Sequence, residues 1–202
     1  MSEAKPWDYH SDLTAERLII VARFLADGRQ LAVELFDEEA GDNGWTLGCR
    51  AFQFARARVL RAIDSEEYSW LSAIDRTLQL IFKIGQVPVR IYRGEADEPT
   101  IRTLRQGFAE LNQLSLGFPG PTQGRDLAYR FAIETDLDGS VLAVKFVGLQ
   151  GESAILNWDV PFGLDTSASG TVGRPATESV ELAAPEVGVR DAAPKKRDGE
   201  AI

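Results

Sequence analysis

The strongest constraint on the fold of this chain is a change of hydrophobic period. From Leu127 to Leu149, apolar and polar side chains alternate on both sides of Asp138-Gly139, a turn dipeptide. A two-residue turn there sets Phe131 opposite Phe146, Ile133 opposite Val144 and Thr135 opposite Leu142, with one apolar face common to both strands. An earlier pair of stretches, Thr77–Ile84 and Val87–Arg93, flanks Gly85-Gln86, and glycine at the first loop position suits a type II′ turn. That register puts Leu78, Leu80, Phe82 and Ile84 on one face with Val87, Val89 and Ile91. Gln79, Ile81, Lys83, Arg90 and Tyr92 take the other. Pro88 has no N–H to donate, which places its strand at an edge or weakens the pairing there. A last strand is expected over Ser153–Val160.

Before the hairpins the period is helical. Glu16, Arg23, Asp27, Gln30, Glu34 and Asp37 form one polar stripe running straight through Asp27-Gly28. The spacing predicts a single helix from about Leu13 to Glu39, with Gly28 on its buried side where a missing side chain lets a neighbour approach. Its apolar arc, which includes Leu18, Val21, Leu25, Leu31 and Leu35, is wider than one sheet face covers. A second helix is expected over Leu47–Ile63, and a short one over Glu66–Asp75 with Asp64 or Ser65 as N-cap. Another runs from about Glu98 to Leu114, and Phe118–Gly124 is a loop. The fold class is therefore α+β: an antiparallel sheet built from two β-hairpins plus a final strand, packed with a long N-terminal helix and two to three shorter helices.

Three segments divide the chain. Residues 1–11 read as a mobile N-terminal arm, 12–162 as a single α+β domain, and 163–202 as a disordered acidic and polar tail. In that tail aromatic residues vanish, and too little apolar surface remains to offset the ordering entropy. The N-terminus has no basic region followed by an apolar run, and no apolar run approaches the ~20 residues of a membrane helix. One cysteine, Cys49, leaves no internal disulfide and few routes to a zinc site. A cytoplasmic protein without membrane association is the expectation.

The formal net charge of -9 argues against an indiscriminate binder of nucleic acid or anionic membrane. Residues 49–93 nevertheless carry 8 basic and 4 acidic side chains inside an otherwise acidic chain. On the second helix Arg50, Phe54, Arg58 and Arg61 fall within about 80° of arc. There the ring could stack a base while guanidiniums hold phosphates. Lys83, Arg90 and Tyr92 of the first hairpin extend this candidate surface for nucleic acid or another anionic partner. The alternative is that these arginines pair with the acidic stripe of the first helix. Trp7 and Tyr9, an aromatic pair in the polar arm, dock either on the domain or on a partner.

Catalytic sets are incomplete. His10 is the only histidine, Cys49 has no base near it in sequence, and no glycine-rich stretch has a phosphate-loop pattern. Glu134 and Lys145 fall diagonally across the second hairpin, but a nuclease needs a further carboxylate where Ala143 stands. They read as a cross-strand ion pair. No catalytic residue, metal ligand or cofactor is assigned. The expected function is a non-catalytic cytoplasmic interaction protein: an adaptor, a chaperone-like protein or a regulatory subunit. Its partner is another protein or, through the first helix, a second copy of itself. The alternative is a nucleic-acid-associated protein using residues 49–93 within an assembly, and a degenerate metal-dependent nuclease-like domain is the weaker third reading.

Overall fold

In the computed structural model, which describes residues 4–100, 127–151 and 153–163, Pro6–Tyr9 form a one-turn helix (α1) and Ala15–Glu34 a long one (α2). Thr14 opens α2 by accepting the Arg17 N–H on its hydroxyl. The third helix, α3, spans Gly44–Asp64. It starts ahead of the expected Leu47 because Asn43 Oδ1 accepts the N–H groups of Trp45 and Thr46 at 2.9 and 3.2 Å, while Thr46 Oγ1 accepts the Asn43 N–H at 2.8 Å. These contacts satisfy amides that a helix start otherwise leaves open. Most of the helix expected over 98–114, the Phe118–Gly124 loop and the tail beyond Gly163 lie outside the described residues.

Helix α2 runs unbroken through Asp27-Gly28. A Cβ on Gly28 would sit 2.6 Å from Ala55 N and 2.7 Å from Ala55 Cα, so α3 backbone occupies the space a side chain would need. Ala22, Ala26 and Ala32 on α2, with Ala51 and Ala55 on α3, are likewise small and buried. The wide arc of α2 is thus shared between two neighbours, the sheet and α3. Of the large apolar residues on that arc, Leu31 and Leu35 stay exposed, at 37% and 53%.

Among the described residues six strands follow: β1 (Leu71–Asp75), β2 (Ile81–Ile84), β3 (Val87–Arg93), β4 (Ala128–Thr135), β5 (Val141–Gln150) and β6 (Ser153–Asp159). They lie in sequence order in one sheet. The sheet is mixed, which corrects the antiparallel expectation: β3 and β4 run parallel, Val89 opposite Tyr129 through Arg93 opposite Ile133. A parallel pair needs a crossover of a dozen or more residues, and the chain from Gly94 to Leu127 is long enough. Pro88 is therefore in an interior strand. It is tolerated because the ladder with β4 begins one residue later, at Val89. The chain divides into two units, Met1–Leu164 and Asp165–Ile202, and all these elements belong to the first.

Two further expectations are corrected. No helix forms over Glu66–Asp75. Ser65 ends α3 instead, its hydroxyl donating to Ala62 O, and Leu71–Asp75 pairs with β2 as a strand. A single isolated turn earns little helical stability, whereas the strand gains a ladder. Strand β2 is also shorter than Thr77–Ile84. Thr77–Leu80 is a turn in which the Leu80 N–H donates to Thr77 O and Leu80 adopts φ 36°. Leu80 is buried, while Leu78 leaves the expected face for solvent.

The β4–β5 hairpin pairs Phe131 with Phe146 and Ile133 with Val144, but Thr135 faces Val141 rather than Leu142. Asp136 N–H donates to Ser140 O, closing a three-residue loop in which Gly139 takes φ 90°. A register shift between Glu134 and Thr135 then restores the pairing. On the helix-facing side Phe82, Phe131 and Phe146 are fully buried, each contributing about 1.5–3 kcal/mol through lost water contact. The opposite face carries Ala128, Arg130, Ala132, Val147 and Leu149. Among the described residues no helix is long and apolar enough to cross a membrane.

Asp12 ties the start of α2 to the β2–β3 turn. Its Oδ2 accepts the Gln86 N–H at 2.9 Å and its Oδ1 accepts from Arg17 Nη1 at 3.0 Å. Burial alone would raise its pKa, but the Gln86 amide, Arg17 and His10 outweigh it and hold the carboxyl below its ordinary 3.8. The resulting stabilisation is present above that ordinary value and lost as pH falls through the lower folded value.

Two outcomes follow from this packing. Gly28→Ala improves helix propensity by about 1 kcal/mol, yet it forces α2 from α3 at a cost of about 1–3 kcal/mol. Thermal denaturation should therefore show a lower midpoint, and a raised midpoint would contradict the contact. Asp12→Asn should lose about 1 kcal/mol at neutral pH. Its deficit against the parent should shrink below about pH 4, and a deficit constant with pH would show that charge plays no part.

Candidate functional site: a cleft beside strand β3

Strand β3 has seven residues and its neighbour β2 only four, and the β2–β3 ladder ends at Val89. The Thr77–Leu80 turn and α3 stand off from this stretch and leave a cleft. Its larger, apolar part has a volume of about 610 Å³, with Leu25, Phe52, Ile91 and Ile133 among its walls. A smaller polar part of about 280 Å³ shares Phe52, Leu78, Ile91, Tyr92 and Arg93 and adds Arg90, Arg130 and Thr100. Trp45 and Leu78 stand at the wall of the apolar part with 76% and 70% of their surface in solvent, and the exposed Cys49 thiol lies on the same wall. Among the described lining residues of both parts none is acidic.

Arg29 is the cation at the buried end. It sits on α2, one residue beyond the helix contact at Gly28, and is 3% exposed. Its Nε donates to Gly139 O at 2.6 Å, pinning the β4–β5 turn onto the helix. Its Nη2 is buried without a hydrogen-bond partner. Burial and then the neighbouring Arg93 charge pull its pKa down, while Asp138 pulls it up. Arg93 itself is exposed at the end of β3, and both guanidiniums line the apolar part.

The sequence-derived residues divide. Arg50 is engaged: Nη1 donates to Leu35 O at 2.6 Å and Nη2 to Asp42 Oδ1 at 2.9 Å, tying α3 to the loop after α2. The Asp37 N–H, and then this guanidinium, hold the Asp42 carboxyl below its ordinary range. Arg58 faces Asp27 at 3.8 Å, the acidic-stripe pairing. Phe54 packs against the Ala32, Leu47 and Ala51 cluster rather than standing free to stack a base. Arg61 is exposed, its Nε donating to Ala57 O of its own helix. The α3 row is therefore mostly scaffold. Lys83 is half-buried on β2, across from Ser72 and Pro88. Arg90 and Tyr92 do reach the cleft. The Tyr92 hydroxyl donates to Glu95 O at 3.3 Å, and burial, then the Glu134 charge, pushes its pKa up to about 12.

Trp7 and Tyr9 dock on the domain. The Trp7 ring meets Trp158 edge-on with centroids 5.4 Å apart, and Tyr9 packs against the main core. Residues 6–9, expected within a mobile arm, are thus a helix seated on the sheet side chains. Glu134 and Lys145 pair at 3.2 Å, and Glu134 Oε1 also accepts the Ala96 N–H at 3.0 Å. Burial would lower the Lys145 pKa, but Glu134, Asp159 and Asp97 raise it overall. Among the described residues no group of three or more His, Cys, Asp or Glu side chains is placed to hold a metal ion.

Arg29 and Arg93 were not among the residues picked from the sequence. The spacing did hold a clue: Arg29 lies four residues after Leu25 and three before Ala32, a cation on the buried arc. Comparison with protein-family models, with curated proteins and with solved structures returned no match.

Proposed function

We propose that the protein is a non-catalytic cytoplasmic interaction protein, an adaptor, chaperone-like protein or regulatory subunit, that receives its partner at the cleft beside β3. One observation carries this reading. Two large apolar side chains, Trp45 and Leu78, stand in solvent on the wall of a cleft whose described lining has guanidiniums and no carboxylate. Aromatic and arginine side chains around a desolvated pocket are the usual composition of an interface hot spot. The exposed pair Leu31, on α2, and Leu35, just beyond its end, offers a separate, smaller contact for a second copy of the chain.

Nucleic acid is the alternative partner, favoured by Arg90, Arg93 and Arg130 gathering at the polar end of the cleft beside Tyr92. The overall charge of -9 works against it. So do the ion pairs that occupy Arg50 and Arg58.

The test is affinity capture from native extract with the parent chain and with the double variant Trp45→Asp, Leu78→Asp, before and after nuclease treatment. A protein partner held by the parent, lost with the variant and retained after digestion is the expected result. The same partners on both chains would rule out the cleft. Loss of all partners on digestion would favour nucleic acid instead.

A further inference from the structure

We propose that the cleft binds a small apolar monocarboxylate, an alkyl or aryl acid whose carboxylate sits between Arg29 and Arg93 and whose body lies against Leu25, Phe52, Ile91 and Ile133. The inference rests on the cleft being the recognition site and names the chemistry recognised there.

Arg29 is the reason for an anion. A guanidinium presents five donors in a rigid fork and carries its charge at any ordinary pH. Here one donor is satisfied by Gly139 O, while Nη2 is buried with no partner. A buried charged donor left unsatisfied is costly, and an anion in the cleft that Arg29 lines offsets that cost electrostatically without reaching Nη2 itself. Arg93 brings a second positive charge near enough to depress the Arg29 pKa. Asp138, outside the lining, offsets part of the Arg29 charge, and no described lining residue supplies a negative charge between the two guanidiniums. One monoanion placed between the two relieves that repulsion and accepts charge-assisted hydrogen bonds from the exposed Arg93.

The walls explain why the anion carries an apolar body. Beyond the arginines the described lining is mainly aliphatic and aromatic, and the volume of about 610 Å³ is that of a small-molecule site. A phosphate or a polyanion would gain the arginines and waste the rest. An uncharged lipid would fill the walls and leave Arg29 as it is.

Cys49 provides the readout, because it is the only cysteine and lies exposed on the cleft wall. The full chain would be titrated with octanoate, octanamide and octylamine, following heat of binding and the rate of Cys49 alkylation by iodoacetamide. Octanoate should bind and slow alkylation several-fold. Octanamide should bind at least about tenfold more weakly and octylamine not measurably, since about 1.4 kcal/mol separates a tenfold difference. Arg93→Gln, at an exposed position outside the core, should weaken octanoate about tenfold with an unchanged melting midpoint. Arg93→Lys should recover part of that loss.

Equal binding of octanoate and octanamide would overturn the proposal, as would octanoate that fails to protect Cys49 at millimolar concentration. Protection only by peptides ending in an apolar residue with a free carboxylate would overturn it too, making the anion a polypeptide terminus. These results are separable from the partner test. If no acid binds but Trp45→Asp, Leu78→Asp still loses its partner, the ligand class is wrong and the cleft stands. If octanoate binds and the partner is unaffected, the reverse holds.

Discussion

A single guanidinium links the helical layer to the second hairpin and to the cleft. Arg29 projects from α2 beside the point where that helix touches α3, reaches the turn between β4 and β5 through Gly139 O, and ends at the cavity wall. Its place depends on Gly28. Without a side chain there, the backbone of α3 at Ala55 can close onto α2, and Arg29 is carried under cover instead of into solvent. Two adjacent residues thus do opposite things. One removes atoms so that helices meet, and the other adds a charge where burial is costly.

The cleft itself comes from unequal strands. Leu80 adopts a left-handed backbone conformation and Asp75 accepts the Thr77 N–H, so the chain turns before β2 can extend to match β3. The β2–β3 ladder stops at Val89, and side chains from α3 stand beside the end of β3. A longer β2 would have filled the space with a ladder. The same turn carries Leu78 out to the wall, so the element that opens the cleft also furnishes one of its exposed apolar contacts.

Much of the scaffold was legible because period reports burial. The alternation around Asp138-Gly139 anticipated Phe131 opposite Phe146, and the polar stripe of α2 anticipated that Gly28 lies inside a helix. Asp-Gly serves two- and three-residue loops alike, so the displaced Thr135–Val141 pair was beyond reach. Strand direction leaves no mark on alternation, and the parallel β3–β4 pair was missed for that reason. Leu71–Asp75 is too short for either period to assert itself.

Site residues were harder, since a charge pattern does not name its partners. The α3 arginines formed a true row, yet Asp42 and Asp27, brought in by the loop and by α2, occupy two of them. Arg29 was hidden for the converse reason, a lone cation in an apolar arc whose hydrogen-bond acceptor, Gly139, is 110 residues away. The account is tested most directly by a crystal structure of the full chain grown with octanoate. A carboxylate oxygen about 2.7–2.9 Å from the Arg93 guanidinium and on the side facing Arg29, with the alkyl chain along Phe52 and Ile133, is the predicted result. Arg29 Nη2 bonded to an oxygen of the protein itself, with the cleft closed by its own side chains, would contradict it.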